Sequence, residues 1–350
     1  MGQRMTAKRM PAEWAPQSMV LIAWPHPDGD FGPWFDKVEH CYGLIATLIS
    51  QYQPLLILFK ERSQRDFITQ RLQKQRAIET NVQYLQADYD DIWVRDTAPL
   101  AVIEHGRAIL VDFQFNGWGN KYPCAKDKRL GETLYRAGIF GDIPYHPVHW
   151  VLEGGSIETD GQGTLLATRK SVLNPNRNGD HQSAETLLNR YLGFKRFLWL
   201  DHGHLQGDDT DAHIDTLARF CRPDTIAYTA CDDPADSHYA DLQAMARQLA
   251  AFKTPAGEPF RLFPLPIPKP VYTNEGRRLP ATYANFLIIN GAVLVPVYND
   301  PADEFALAQL TKCFPDRKII PIPANPLILQ YGSLHCMSMQ YPAPVQCEVK

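Results

Sequence analysis

The sequence predicts an α/β fold, and three observations carry the prediction. Helical periodicity recurs in six stretches. Short β-rich runs lie between them, usually more than one per helix. The two kinds alternate along all 350 residues instead of segregating into separate regions. In chain order, a β-rich run at 19–24 precedes a helical pattern at 36–51, and a second run at 55–59 precedes another at 63–76. The run at 108–113 leads into helix 129–137, and the runs at 165–168 and 196–200 flank helix 182–192. After the run at 225–231 comes the clearest helix, 236–252, with Asp236 or Ser237 as its expected cap. Runs at 285–289 and 292–297, helix 302–313 and a last run at 318–322 complete the series. The proline-rich stretch 263–270 reads either as a linker or as an extended connection inside one domain. One domain over residues 1–350 is the expected organisation.

Composition narrows the function. A formal charge of −4, with 35 basic against 39 acidic residues, leaves no basic footprint for nucleic acid. No apolar run approaches the length of a membrane span. The basic N-terminus runs into Pro11 without an apolar stretch, which argues against a secretory signal. Gly2 to Thr6 matches a myristoylation pattern short enough to recur by chance. Seven cysteines are scattered without a C-x-x-C pair, which favours a reduced, cytoplasmic setting over a disulfide framework. There is no G-x-G-x-x-G or P-loop, so no nucleotide cradle is expected.

Four separated segments carry chemistry: Trp93-Val-Arg-Asp96, Glu153-Gly154-Gly155, His213-Ile-Asp215 and His335-Cys336. Together they offer a thiol, imidazoles and carboxylates, the groups needed to displace ammonia from a guanidinium. Carboxylates grip that planar cation through its fork of donors. A thiolate attacks its central carbon, where water is too weak a nucleophile. A histidine supplies the proton that the departing ammonia requires. If the run from Ala212 is extended, His213 and Asp215 point to one face. By the same logic His335 points away from Cys336, leaving His213 as the proton-transfer candidate. Trp93 offers a stacking face for a cation, Trp118 sits in a turn suited to lining a pocket, and Gly154 allows close backbone approach.

Each segment alone also has a plain structural reading. Cys336 would be a core thiol, Glu153-Gly154-Gly155 a turn, and Arg95 with Asp96 a turn salt bridge. The acidic stretch offers a metal alternative through His202, His204 and Asp208 to Asp215, like the ligand pair of metal-dependent amidohydrolases. Those enzymes carry that pair on a first barrel strand, whereas here it lies mid-chain.

Taken together, the motifs resemble the agmatine deiminase family, related to bacterial peptidyl-arginine deiminases within the guanidino-modifying superfamily. The resemblance runs through 10–17, 23–26, 91–99, 153–155, 174–178, 209–215, 283–285, 295–296, 300–301 and 335–336. It implies a five-bladed, pseudo-symmetric α/β propeller (pentein) of ββαβ repeats. It implies Cys336 as nucleophile, His213 as acid and base, Asp96 and Asp215 as guanidinium carboxylates, and Glu153 as the acid that orients His213. It also implies hydrolysis of agmatine in putrescine biosynthesis, without metal or organic cofactor. The expected partner is a small cationic guanidino substrate, with a homodimer or higher homo-oligomer admissible. Three positions depart from the family pattern. Tyr331, Ala98 and Ala212 stand where glycines are usual.

Overall fold

The computed structural model describes residues 8–178 and 180–345. The Gly2–Thr6 pattern and Cys347 lie outside them. Among the described residues the strands form five small sheets. Four follow one plan: an antiparallel pair, a crossover helix, then a third strand parallel to the second. In one such blade Leu100–Glu104 pairs with Arg107–Gln114, the helix Leu130–Arg136 crosses over, and Tyr145–Val151 returns. The next comprises Glu158–Thr159, Thr164–Thr168, helix His181–Leu192 and Arg196–Leu200. Then come Ala218–Arg222, Thr225–Ala230, helix Tyr239–Ala251 and Arg261–Pro266. The last of the four comprises Leu287–Ile289, Ala292–Val297, helix Ala302–Cys313 and Lys318–Pro323.

The fifth sheet is shared between the two ends of the chain. Gln17–Ala23, helix Phe35–Ser50 and parallel Leu55–Phe59 supply most of the unit. Helix Arg62–Lys74 then adds Val82–Gln86 in parallel. The antiparallel partner is Ser338–Pro342, from the far end of the sequence. Pairing first strand with last closes the ring, and the architecture is a five-bladed α/β propeller.

Local chemistry explains these elements. In Phe35–Ser50 the buried Val38, Tyr42, Ile45 and Ile49 recur at helical spacing and pack into the same core as Leu55, Ile57 and Phe59. That strand, Leu-Leu-Ile-Leu-Phe, is buried throughout, as a parallel strand covered on both faces must be. Asp180 caps His181–Leu192 through the Ser183 N–H, and Gly193 ends that helix at φ 80°.

Two expectations need correcting. The proline-rich stretch is neither linker nor plain connection at its start, because Arg261–Pro266 is a paired strand. It tolerates Pro264 and Pro266 because it is the outer strand of its sheet, as are the strands holding Pro147, Pro321 and Pro323. Neither Asp236 nor Ser237 caps the helix after it. His238 precedes the first turn, and Asp236 instead meets the His238 ring at 2.8 Å and Arg278 at 2.8 Å.

The repeat also positions the chemistry. In every blade the segment leaving the third strand, or the added strand in the first blade, leads to the next blade's first strand. These connectors span 87–99, 152–157, 201–217, 267–286 and 324–337. They hold Asp96, Glu153, His213 with Asp215, Asn285, and His335 with Cys336 respectively.

Candidate active site

The five connectors are stitched to one another. Val94–Thr97 forms a single helical turn, and the Arg95 N–H donates to the Cys336 carbonyl at 3.2 Å. The Arg95 guanidinium also donates to the His335 carbonyl at 3.3 Å, tying the first connector to the last. Glu153 follows Tyr145–Val151, and its two glycines do different work. A side chain at Gly154 would collide with the Arg95 carbonyl, so this glycine permits packing of the backbone. A Cβ at Gly155 would stand 2.7 Å from His213 Nδ1 and 2.9 Å from both Asp215 Oδ2 and Asp96 Oδ1. Gly155, not the expected Gly154, therefore lets the reactive groups close against its backbone, where a side chain would collide with all three.

His213 and Asp215 share the site for a reason other than the one expected. The segment is not extended: His213 opens the turn Ile214–Thr216, after Ala212 at φ 68°. Fully buried, His213 places Nε2 3.4 Å from Glu153 and Nδ1 3.7 Å from Asp96. Burial alone would lower the imidazole's pKa. The charges of Asp96, Glu153 and Asp215 and the Glu153 hydrogen bond outweigh it and raise the pKa to about 9. Glu153 is held in turn by Arg177, whose Nε donates to both carboxylate oxygens at 2.8 and 2.7 Å. Arg177 also binds Asp211 at 2.8 Å and the Thr210 carbonyl at 3.0 Å, bracing the loop that carries His213.

The thiol lies between the carboxylates and the last blade. Cys336 Sγ is 3.4 Å from Asp215 Oδ2 and accepts from Asn285 Nδ2 at 3.1 Å. Burial raises its pKa well above the ordinary thiol value, and the Asp215 and Asp96 charges add to this. Asp96 accepts from the Gly155 N–H at 2.8 Å and the Trp118 indole at 2.9 Å. Burial raises its pKa too. In this cluster two buried polar atoms, His213 Nδ1 and Asp215 Oδ1, make no hydrogen bond among the described residues.

A cleft of about 470 Å³ opens onto this cluster, with Asp96, Cys336, Trp93, Trp118, Tyr122 and Tyr331 among its walls. Trp93 packs against Gly332, where any side chain would collide with its ring. Asp30, Asp91 and Asp209 add three carboxylates to the lining. Burial, reinforced by Asp127, Asp30 and Asp209, pushes Asp91 up to about 7. Tyr331 sits at φ 70° with the Arg277 guanidinium 4.3 Å from its ring centroid. His202 and His204 both meet Asp241, at 3.2 and 3.0 Å, and neither joins the cluster around Cys336.

Sequence reasoning therefore named Cys336, His213, Glu153, Asp96, Asp215, Trp93 and Trp118, all of which converge here. It missed Asn285, Arg177 and Gly155 as individuals, although each lay inside a quoted motif. It expected His335 on an extended segment, pointing away from Cys336. The segment turns instead of extending, and the ring meets Asp215 at 2.8 Å.

Fold and cluster together define the chain as a guanidino-modifying α/β propeller. It belongs to the Porphyromonas-type peptidyl-arginine deiminase family, whose model matches residues 9–342. It is 32% identical to an agmatine deiminase of Pseudomonas putida F1, across 96% of either chain. A C. jejuni agmatine deiminase with a cysteine-to-serine change and bound substrate superposes with a TM-score of 0.88. The two are 35% identical, over 97% of this chain and 98% of that one. Agmatine deiminase of Enterococcus faecalis gives a TM-score of 0.85 at 29% identity, over 97% of each chain.

Proposed function

We propose that this chain hydrolyses agmatine to N-carbamoylputrescine and ammonia through a covalent intermediate on Cys336. One observation carries the reading. The Asp96 and Asp215 carboxylates and the His213 imidazole converge beside Gly155, with the Cys336 thiol against Asp215. A guanidinium fits that charge pattern, and the unpartnered Asp215 Oδ1 awaits a donor. The curated relatives and the substrate-bound neighbour, all agmatine deiminases, support the same substrate. The ring closed by Gln17–Ala23 and Ser338–Pro342 supports reading the chain as one deiminase domain.

The reaction follows from the charges. Burial, with two carboxylates adding to it, keeps the thiol protonated before substrate binds. A bound guanidinium offsets them, so the thiol ionises when there is something to attack. The thiolate adds to the guanidinium carbon, and His213, protonated at neutral pH by its raised pKa, gives its proton to the departing ammonia. A thiouronium remains on Cys336. His213, now neutral, takes a proton from water, the hydroxide adds to the same carbon, and the C–S bond breaks. Loss of a proton from that oxygen leaves the ureido product.

Lining and walls favour agmatine over arginine. A second cationic end suits a cleft holding Asp30, Asp91 and Asp209, whereas a free α-carboxylate would be repelled. The aromatic walls suit a slender chain rather than a peptide. Ammonia release compared among agmatine, free arginine and an arginine-containing peptide tests this. Agmatine is expected to lead, and preference for the peptide would overturn the substrate assignment. Replacing Cys336 by Ala is expected to abolish ammonia release, and full activity in that variant would sink the mechanism.

A further inference from the structure

The motif at 10–17 has no part in the chemistry above, yet it reaches the nucleophile's neighbours. Glu13 Oε1 lies 2.7 Å from His335 Nε2, while His335 Nδ1 lies 2.8 Å from Asp215 Oδ2. The ring between them is fully buried. Both ring nitrogens thus lie within hydrogen-bond distance of a carboxylate oxygen. Glu13 is fixed in turn. Arg219 meets its Oε2 at 2.5 Å, Gln340 donates to the same oxygen at 3.2 Å, and Arg95 approaches Oε1 at 3.4 Å. Burial works to raise the Glu13 carboxyl, but His335, Arg219 and Arg95 together hold it well below the usual range. A chain of polar contacts thus runs from two arginines through Glu13 and His335 to Asp215, whose bonded oxygen also touches Cys336 Sγ.

We infer that His335, held by Glu13, is a positioning residue that keeps Asp215 ionised and occupies its Oδ2, leaving Oδ1 to the guanidinium. The inference rests on the deiminase reading and deepens it. Asp215 faces Cys336 and His335 from the last connector, Asp96 from the first, Glu153 beyond His213, His213 from its own connector, and Arg219 from the following strand. Burial would raise its pKa. The hydrogen bond and charge of His335 oppose this most strongly, followed by His213 and Arg219, and the net displacement is downward. Without His335 the largest influence opposing burial is gone, and Asp215 takes up a proton at higher pH.

The test is the pH profile of kcat/KM for agmatine in the full chain, in His335→Asn and in Glu13→Gln. In the unaltered enzyme the acid limb includes Asp96, whose carboxyl is raised by burial. In His335→Asn, Asp215 joins it, so that limb is expected to steepen and move up by about one pH unit or more. KM should rise more than kcat falls. Glu13→Gln should shift the limb in the same direction by less, and it carries the test if circular dichroism finds His335→Asn unfolded. An acid limb that stays in place, with activity lowered equally at every pH, would overturn the inference and leave the deiminase reading intact. An unaltered protein that releases no ammonia from any guanidino compound would remove both.

Discussion

Asn285 Nδ2 lies 3.1 Å from Cys336 Sγ, and Asn285 Oδ1 accepts from the His335 and Cys336 N–H groups at 3.0 and 3.3 Å. One side chain thus orients the nucleophile's backbone and donates to its sulfur. Its donation opposes the burial and carboxylates that raise the thiol's pKa. A hydrogen bond to a charged group contributes about 1.5–3 kcal/mol. Asn285→Ala is therefore expected to lower kcat/KM by roughly ten- to a hundredfold. The alkaline rise in the rate of Cys336 alkylation by iodoacetamide should move to higher pH. An unchanged alkylation profile would show that the asparagine does not act on the sulfur.

Gly155 offers a cleaner probe of the guanidinium space. It does not occupy the left-handed region, so alanine is tolerated by its backbone. The added methyl would stand within 2.9 Å of Asp96 Oδ1, Asp215 Oδ2 and His213 Nδ1. Gly155→Ala is expected to keep its circular dichroism spectrum while KM for agmatine rises by roughly a hundredfold, about 2.7 kcal/mol of lost binding. Unchanged KM would place the guanidinium elsewhere.

Much of this was legible in the sequence, and the failures have physical causes. Helix 302–313 and the strand runs at 55–59, 196–200 and 292–297 fall where local periodicity put them. Ser338–Pro342 did not, because its partner lies more than three hundred residues away and only ring closure explains its pairing. Val82–Gln86 is only partly buried, so it lacks the apolar signature of a strand. Among the site residues, chemical identity revealed Cys336 and His213, whereas Glu13 and Asn285 act through contacts that span hundreds and tens of residues. The extended-chain argument brought His213 and Asp215 together for the wrong reason, and its premise fails for His335 as well, because both segments turn.

Two positions where the family pattern has glycine show what that glycine does. Ala212 and Tyr331 stand at φ 68° and 70°, where a side chain costs about 1–2 kcal/mol. Ala98, at φ −85°, carries no such penalty. Ala212→Gly is expected to stabilise the protein, raising its Tm by a degree or two on the order of 1 kcal/mol for a chain this size. Tyr331→Gly relieves similar strain but loses the Arg277 contact, worth about 0.5–1 kcal/mol. Its main effect should be on the cleft: KM for agmatine rises, and the ratio of peptide to agmatine turnover increases. A ratio that does not move would remove Tyr331 from the determinants of substrate size.

Glu153 gives the pH prediction its sharpest form. It raises the His213 pKa both by charge and by hydrogen bond, while Arg177 keeps it in place. The protonated imidazole is the active form for ammonia departure, so kcat is expected to fall as pH rises through about 9. Glu153→Gln removes the negative charge, the His213 pKa falls, and the imidazolium is lost at lower pH. The alkaline limb should therefore move down by about one unit, a change of roughly 1.4 kcal/mol in favour of the neutral ring. Arg177→Gln leaves the Glu153 charge unpaired beside His213, so there the limb should move up while kcat falls through lost alignment. If both variants shift the limb in the same direction, Glu153 acts on His213 through geometry and not through charge.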